Sequence, residues 1–303
     1  MKSWQFSLLA LAVSSSFTLQ AADTKAATDS KKPEWNVNQP QGQFKTINIK
    51  TETGTWMNLD ISPDGKTVVF DLLGDLYSMP IPGGTPKQLT NDIGWQMQPK
   101  FSPDGKYLSW TAGVDGVMNV WVAPANDLGK ARAVTSDKAR GIRQYFWAHR
   151  PDTLLYMRDT GGDEDFHVFA VDVATGQSRD LSNFPKTRAM MVGLSHLHPD
   201  SVLVAMNDRD PKWHDLYRVD LASGARTLVE KNTLELAEYI VDPDFKVRMA
   251  SKSRADGGSD LLAPNGKDGW KIVDEIPLAD SLTTFPGGYT TDGKTMYFID
   301  SRG

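Results

Sequence analysis

The 303-residue chain contains no cysteine. That excludes disulfides, thiolate metal sites and a cysteine nucleophile, so the fold must be held by apolar packing and hydrogen bonds. No excess of either charge is present: 33 Lys and Arg stand against 38 Asp and Glu, for a formal net charge of −5. The basic residues are scattered rather than clustered, which argues against nucleic acid or an anionic membrane surface as a partner. The apolar run centred on Leu8 to Val13 is too short to cross a bilayer as a helix. No Gly-x-Ser-x-Gly string occurs, so the nucleophile elbow of an α/β-hydrolase is missing from the sequence.

What the chain does have is a recurring turn. Ser62-Pro63-Asp64-Gly65 returns as Ser102-Pro103-Asp104-Gly105, each time between short apolar strands, the second running from Thr67 to Phe70 and from Tyr107 to Trp110. Pro and Asp set up a turn, Gly takes the positive φ of a tight hairpin, and the flanking alternation belongs to half-buried strands. Weaker copies follow: Arg150-Pro151-Asp152, His198-Pro199-Asp200, Asp242-Pro243-Asp244 and Thr291-Asp292-Gly293. Third strands are expected at Leu76 to Ile81, Asn119 to Ala123, Phe166 to Val171 and Leu216 to Val219, and fourth strands near Gln88, Arg132, Arg179 and Arg226. Four strands in a repeat of roughly 40 to 48 residues make a propeller blade.

The fold expected is therefore all-β, a TolB-like or WD-repeat-like β-propeller with about five complete four-stranded blades and a partial sixth. The complete units cover 55–93, 94–139, 140–186, 187–232 and 233–279. An earlier strand, Phe44 to Ile49, is expected to help close the ring. Closure then remains short of one strand, and a truncated or spliced parent is expected. Residues 1–21, with Lys2, the apolar run and Ala21-Ala22, read as a secretory signal peptide, which implies export to a Gram-negative periplasm. Residues 22–43 read as a flexible lead-in and 44–303 as the propeller.

Residues that carry chemistry are few. Gly257-Gly258-Ser259-Asp260 reads as turn chemistry rather than a nucleophile. His196-Leu197-His198 has a metal-ligand spacing, with Asp200 and His214 as local supplements, but reads as surface turn histidines. Gly161-Gly162-Asp163-Glu164-Asp165 and Asn207-Asp208-Arg209-Asp210 concentrate carboxylates. A single loop seldom supplies the oxygens calcium needs, so these read as solvated loops whose Asp side chains bond backbone N–H groups, with Arg209 bridging blades. Among the nine Trp, Trp56, Trp95, Trp110, Trp121 and Trp147 are expected mostly in the wedges between sheets, and Trp213 in a loop as a contact residue. No catalytic, cofactor or metal residue is assigned; Asp163, Glu164, Asp208, Arg209 and Trp213 are the candidate interdomain or ligand contacts.

Two resemblances emerge from longer segments. Glu34-Trp35-Asn36-Val37, Gly54 to Leu59, Phe70 to Tyr77 and Trp95 to Phe101 resemble the TolB-like propeller of exported amidohydrolases, over about residues 33–110. Met118 to Pro124, Ile142 to Ala148, Gly161 to Phe166, Asn207 to Pro211 and Phe298 to Gly303 resemble the propeller of prolyl oligopeptidase-type serine peptidases, in the acylaminoacyl-peptidase and dipeptidyl-aminopeptidase branch. The change of resemblance falls near residues 111–117. The second resemblance implies a ring that gates peptide access to a hydrolase domain, and it places the Asp163 and Asp208 loops at the face meeting that domain. The function expected is thus a non-catalytic, periplasmic, substrate-gating propeller that works with a peptide, a protein or a missing hydrolase domain. The alternatives are a TolB-like binding scaffold of the envelope and the propeller portion of an exported amidohydrolase.

Overall fold

The computed structural model describes residues 42–266 and 269–303. Within them the chain forms five four-stranded antiparallel sheets and a two-stranded sixth, with strands in chain order in every sheet. Blade 1 comprises β1 (Leu59–Ile61), β2 (Thr67–Leu72), β3 (Asp75–Pro80) and β4 (Lys87–Gln88); blade 2 comprises β5 (Gln96–Phe101), β6 (Tyr107–Val114), β7 (Val117–Pro124) and β8 (Arg132–Ala133). Blade 3 holds β9 (Tyr145–Trp147), β10 (Thr153–Arg158), β11 (His167–Asp172) and β12 (Ser178–Asp180). Blade 4 holds β13 (Ala189–Leu194), β14 (Ser201–Met206), β15 (Asp215–Asp220) and β16 (Arg226–Glu230). Blade 5 holds β17 (Glu238–Val241), β18 (Val247–Ser253), β19 (Ser259–Asn265) and β20 (Gly269–Ile276), and blade 6 holds β21 (Phe285–Tyr289) and β22 (Met296–Ile299). This is the expected propeller.

Each blade has two flanks because successive strand residues point to opposite sides. In blade 3, Tyr145, Trp147, Leu154 and Tyr156 occupy the leading flank and join Val120, Val122, Val134 and Ile142 from blade 2 and the segment after it. Leu155, Val168 and Ala170, one step out of phase, occupy the trailing flank and meet Val202, Val204 and Tyr217 of blade 4. The pattern repeats with Val69 and Leu76 against Leu108, Trp110 and Ala112, and with Leu203, Ala205 and Leu216 against Tyr239, Ala250 and Leu262. The described core is therefore a series of seams between blades. An aromatic pair recurs within the leading flanks: Phe70 stacks on its cross-strand partner Tyr77 at 5.6 Å, and Tyr156 on Phe169 at 5.1 Å.

The repeated turns set these registers. Ser62 Oγ donates to the Asp64 carboxylate (2.6 Å) and accepts from the Thr67 N–H (2.9 Å), while the Gly65 N–H donates to the Ser62 carbonyl (2.8 Å). Ser102, Asp104 and Tyr107 reproduce these bonds at 2.7 and 3.0 Å, and Thr290, Asp292 and Thr295 do so at 2.6 and 3.1 Å. The turn glycines Gly65, Gly105 and Gly293 have φ of 70°, 71° and 67°. In blade 5 the same place is taken by Phe245, at φ 64°, whose ring is buried and stacks on His198 at 4.9 Å.

Several expectations are corrected. Phe44 to Ile49 forms no strand; a strand needs an edge to pair with, and here the segment is exposed outside every sheet. Trp110 and Trp147 are buried as expected, but Trp56 is wholly exposed, and Trp95 lies exposed against Gly74. Residues 111–117 fall in the β6–β7 hairpin, which pairs without interruption from Tyr107 and Pro124 to Val114 and Val117. The signal-peptide and most of the lead-in expectations concern residues outside those described.

Because Leu155 is fully buried within a seam, Leu155→Ala should lower stability by about 3 kcal/mol. Gly105→Ala, forced into the left-handed region, should cost about 1 kcal/mol. Urea denaturation of the two variants checks both, and an equal or reversed ranking would contradict the seam.

Candidate functional site

The five residues singled out by sequence lie on connections between second and third strands. Asp163 and Glu164 sit between β10 and β11, and Asp208, Arg209 and Trp213 between β14 and β15. Equivalent connections of like-built blades emerge on one face, so both loops share it. Among the described residues no hydrogen bond or ion pair joins one loop to the other. Asp163 is spent locally: its carboxylate accepts the Thr160 and Asp165 N–H groups at 3.2 and 3.1 Å. Glu164 projects from a left-handed backbone position (φ 61°) and is exposed. Trp213 is half-buried, its backbone N–H donating to the Asp210 carbonyl.

Asp208 and Arg209 have structural engagements. Arg209 grips Asp215 with two bonds of 2.6 and 2.7 Å and donates a third, of 2.8 Å, to the Asn232 carbonyl on the way to blade 5. Asn232 returns its N–H to Asp215 (2.8 Å) and clasps Leu236 through both amide atoms. Burial acts to raise the Asp215 carboxyl, and the guanidinium and the Asn232 N–H more than offset it, holding the group below the usual carboxylate range. Asp208 accepts from Arg226 at 2.8 Å, and the Arg226 guanidinium lies over the rings of Phe184 and Tyr217 at 3.8 and 4.8 Å. These contacts brace the β14–β15 loop from behind; of the five residues, Glu164 on the β10–β11 loop and Trp213 are the two whose side chains make no hydrogen bond or ion pair among the described residues.

Sequence reasoning did not assign Arg140 to this face, and it named His214 only as a supplement to the His196 and His198 pair. Arg140 lies 3.4 Å from the buried carboxylate of Asp159 and packs over Gly162, where a Cβ would come within 3.2 Å of it. His214 presents a buried Nε2 without a partner; burial, and then Arg188, lower its pKa. No spacing motif links these residues, and only the blade topology brings them together. Where the first strands of blades 1 to 3 approach, Asn58, Gln98, Lys100 and Gln144 line a small cleft of about 280 Å³. Gln98 sits at a bulge with φ 56°; its backbone carbonyl accepts the Tyr145 hydroxyl at 2.5 Å, and its side-chain amide donates to the Arg143 carbonyl at 3.1 Å. Such amide and ammonium groups can hold peptide carbonyls or carboxylates.

The histidine pair lies at the other end of blade 4, in the β13–β14 turn. His196 meets His149 of the blade 3 turn edge-on at 6.1 Å, whereas His198 turns to Phe245 in blade 5. Asp200 is held by Arg150 at 3.1 Å, and His214 belongs to the loop at the opposite end of the strand. The rings thus diverge, and no group of three or more metal-ligating side chains occurs among the described residues. Ser259 opens β19 after the turn made by Gly257 (φ 84°) and Gly258, a strand-to-strand hairpin rather than a strand-to-helix elbow.

Removing the cation from the Arg209 clamp leaves Asp215 buried and unpaired, so Arg209→Met should lower the thermal midpoint by roughly 5 °C or more. A midpoint unchanged in a calorimetric scan would dismiss the clamp. Acid should also loosen the turns of blades 3 and 4. Burial, and then His196, hold His149 below its ordinary value of 6.5. A base of depressed pKa is neutral when folded and gains a proton on unfolding, so its contribution, present above pH 6.5, is lost as the pH falls below that value. The thermal midpoint should fall between pH 7 and pH 5, and His149→Gln should shrink that fall.

No family model matches the chain. Dipeptidyl aminopeptidase BIII of Pseudoxanthomonas mexicana is 61% identical over 204 residues, covering 67% of this chain and 30% of that protein. Dipeptidyl peptidase family member 6 of Caenorhabditis elegans is 27% identical over 219 residues, covering 67% of this chain and 29% of that protein. The chain thus spans under a third of the length of these curated relatives. Among solved structures, the β-propeller domain of the Trilobed protease from Pyrococcus furiosus aligns with a TM-score of 0.51 at 15% identity, over 83% of this chain and 79% of that one. With its seams, its recurring turns and this identity to a peptidase, the chain is a β-propeller of the prolyl oligopeptidase-type serine peptidases.

Proposed function

We propose that this chain is the substrate-gating propeller of an exported peptidase of the dipeptidyl-aminopeptidase kind, contributing shape and contact rather than bond cleavage. The observation that carries this reading is the 61% identity to a dipeptidyl aminopeptidase over 67% of the chain. In such a design a ring limits which peptides reach a catalytic centre on another domain. The face bearing the Asp163–Glu164 and Asp208–Trp213 loops is the one assigned to that domain. Asp208 and Arg209 keep the loop in shape, and Glu164 and Trp213 make the contact. The site of action is the periplasm, on the signal-like composition of residues 1–21.

Supporting the non-catalytic role, Ser259 is placed in a hairpin without the strained elbow that activates a hydrolase serine. The purified chain should therefore release no nitroaniline from dipeptidyl or acyl-peptide nitroanilides above buffer. Turnover that follows the protein through repurification, and disappears in Ser259→Ala, would overturn the proposal.

A further inference from the structure

Register allows the seams to be compared place by place. Phe101 pairs with Leu108 in blade 2 as Leu194 pairs with Val202 in blade 4, so Gln96 and Ala112, which pair further along, hold the places of Ala189 and Met206. Ala189 and Met206 are both 0% exposed and close the seam to blade 3 with apolar atoms alone. In blade 2 the long apolar side chain is replaced by that of Ala112, and a cleft of about 500 Å³ opens between the segment that follows β4 and the β7–β8 connection. That volume is in the range of small-molecule sites. Leu89, Leu128, Trp110 and Trp121 line it, and the indole N–H of Trp121 is already given to the Ala112 carbonyl at 3.2 Å, so this residue offers ring surface rather than a donor.

The polar side of the cleft is made of acceptors. Gln96 lines it and is 4% exposed; its Nε2 donates to Asp92 Oδ1 at 2.6 Å, which leaves its Oε1 buried and without a hydrogen-bond partner among the described residues. An unpaired buried acceptor costs stability, and an apolar pair such as that of blade 4 avoids the cost. Asp92 Oδ1 also accepts the Gly94 N–H at 2.9 Å, and Oδ2 accepts nothing among the described residues. Asp75 stands behind, bonded to the lining residue Thr90 at 3.2 Å. Burial raises the Asp75 carboxyl above its ordinary value and the Asp92 charge adds to the rise, against the hydrogen bonds from Thr90 and Gln88. No Lys or Arg lines the cleft, and neither Asp75 nor Asp92 has an ion-pair partner among the described residues.

We propose that this cleft binds a small organic ammonium, an amine whose N–H groups donate to Gln96 Oε1 and the Asp92 carboxylate while its apolar body packs among Trp110, Trp121, Leu89 and Leu128. The chemistry of the lining selects this class. An ammonium carries three donors and no acceptor, which matches a site of acceptors, and its charge is attracted both by the carboxylates and by indole rings. An anion would meet like charge from Asp92 and Asp75, and an alcohol would leave that charge uncompensated.

Isothermal titration of phenethylammonium chloride into the full chain should show one site with a dissociation constant below about 1 mM. Phenylacetate, which has the same ring and a carboxylate in place of the ammonium, and 2-phenylethanol, which is neutral, should each bind at least about tenfold more weakly. Gln96→Met supplies the kind of side chain that closes the seam in blade 4; it should weaken binding at least about tenfold. Its thermal midpoint should stay level or rise, because the unpaired buried acceptor is gone. Asp92→Asn, at an exposed residue, should weaken binding several-fold with the midpoint unchanged. A wild-type chain that binds no phenethylammonium would overturn the proposal, as it would if water or another part of the chain satisfied Gln96. Equal affinity for phenylacetate, or unchanged affinity in either folded variant, would overturn it as well. Should Gln96→Met fail to fold, Asp92→Asn and the comparison of the three ligands decide.

Discussion

The contact on which the whole structure depends is that of one sheet's flank against the next. Strand geometry sends neighbouring residues to opposite sides, so a blade such as the third presents Leu154 backwards and Leu155 forwards, both fully buried. Neither side is polar, and a blade standing alone would leave both in water. Its stability is therefore borrowed from its neighbours, and the main-chain pairing within each sheet only becomes secure once both flanks are covered. Polar links between blades follow the same logic. Tyr145 and Trp147, packed in the seam between blades 2 and 3, also share Ser109 Oγ at 3.1 and 2.8 Å, which fixes how the two sheets slide against each other.

The turns are what let so many sheets share one geometry. A hydroxyl, a carboxylate and a residue of positive φ repeat the same bonds in blades 1, 2 and 6 with distances that agree to about 0.2 Å. Blade 5 shows that the glycine itself is dispensable. Asp242 accepts the Asp244 and Lys246 N–H groups at 2.9 and 3.0 Å, and Phe245 adopts the strained conformation while gaining His198 and the Arg218 guanidinium as ring partners. Tertiary packing thus holds a backbone state that the residue disfavours on its own.

What could be read in the residues was whatever is encoded locally. Ser62 to Gly65 and Ser102 to Gly105 announce their hairpins because every bond in those turns lies within five residues, and the strands that follow inherit their phase. Phe44 to Ile49 has the composition of a strand, but pairing requires an edge contributed from elsewhere, which composition cannot report. Trp56 and Trp95 look like Trp110 and Trp147 in isolation, but they fall just outside the strands, whereas Trp110 and Trp147 lie within paired strands whose flanks are covered. The charged loops misled in a related way. Asp208 and Arg209 are adjacent in sequence, yet their partners Arg226 and Asp215 come from two different strands, and the choice between ligand contact and brace is made by that topology.

A core divided into parallel layers also has no single centre whose loss dissolves everything at once. Prising open the gap between blades 3 and 4 would break the body into two shorter stacks, each with its sheets and remaining gaps intact, much as a fan parts between two ribs. Opening at one such gap need not open the next, so amide hydrogens on different ribs can exchange through separate local openings. Heat, acid or a partner acting at one gap can then alter the width of the fan without unravelling its pleats.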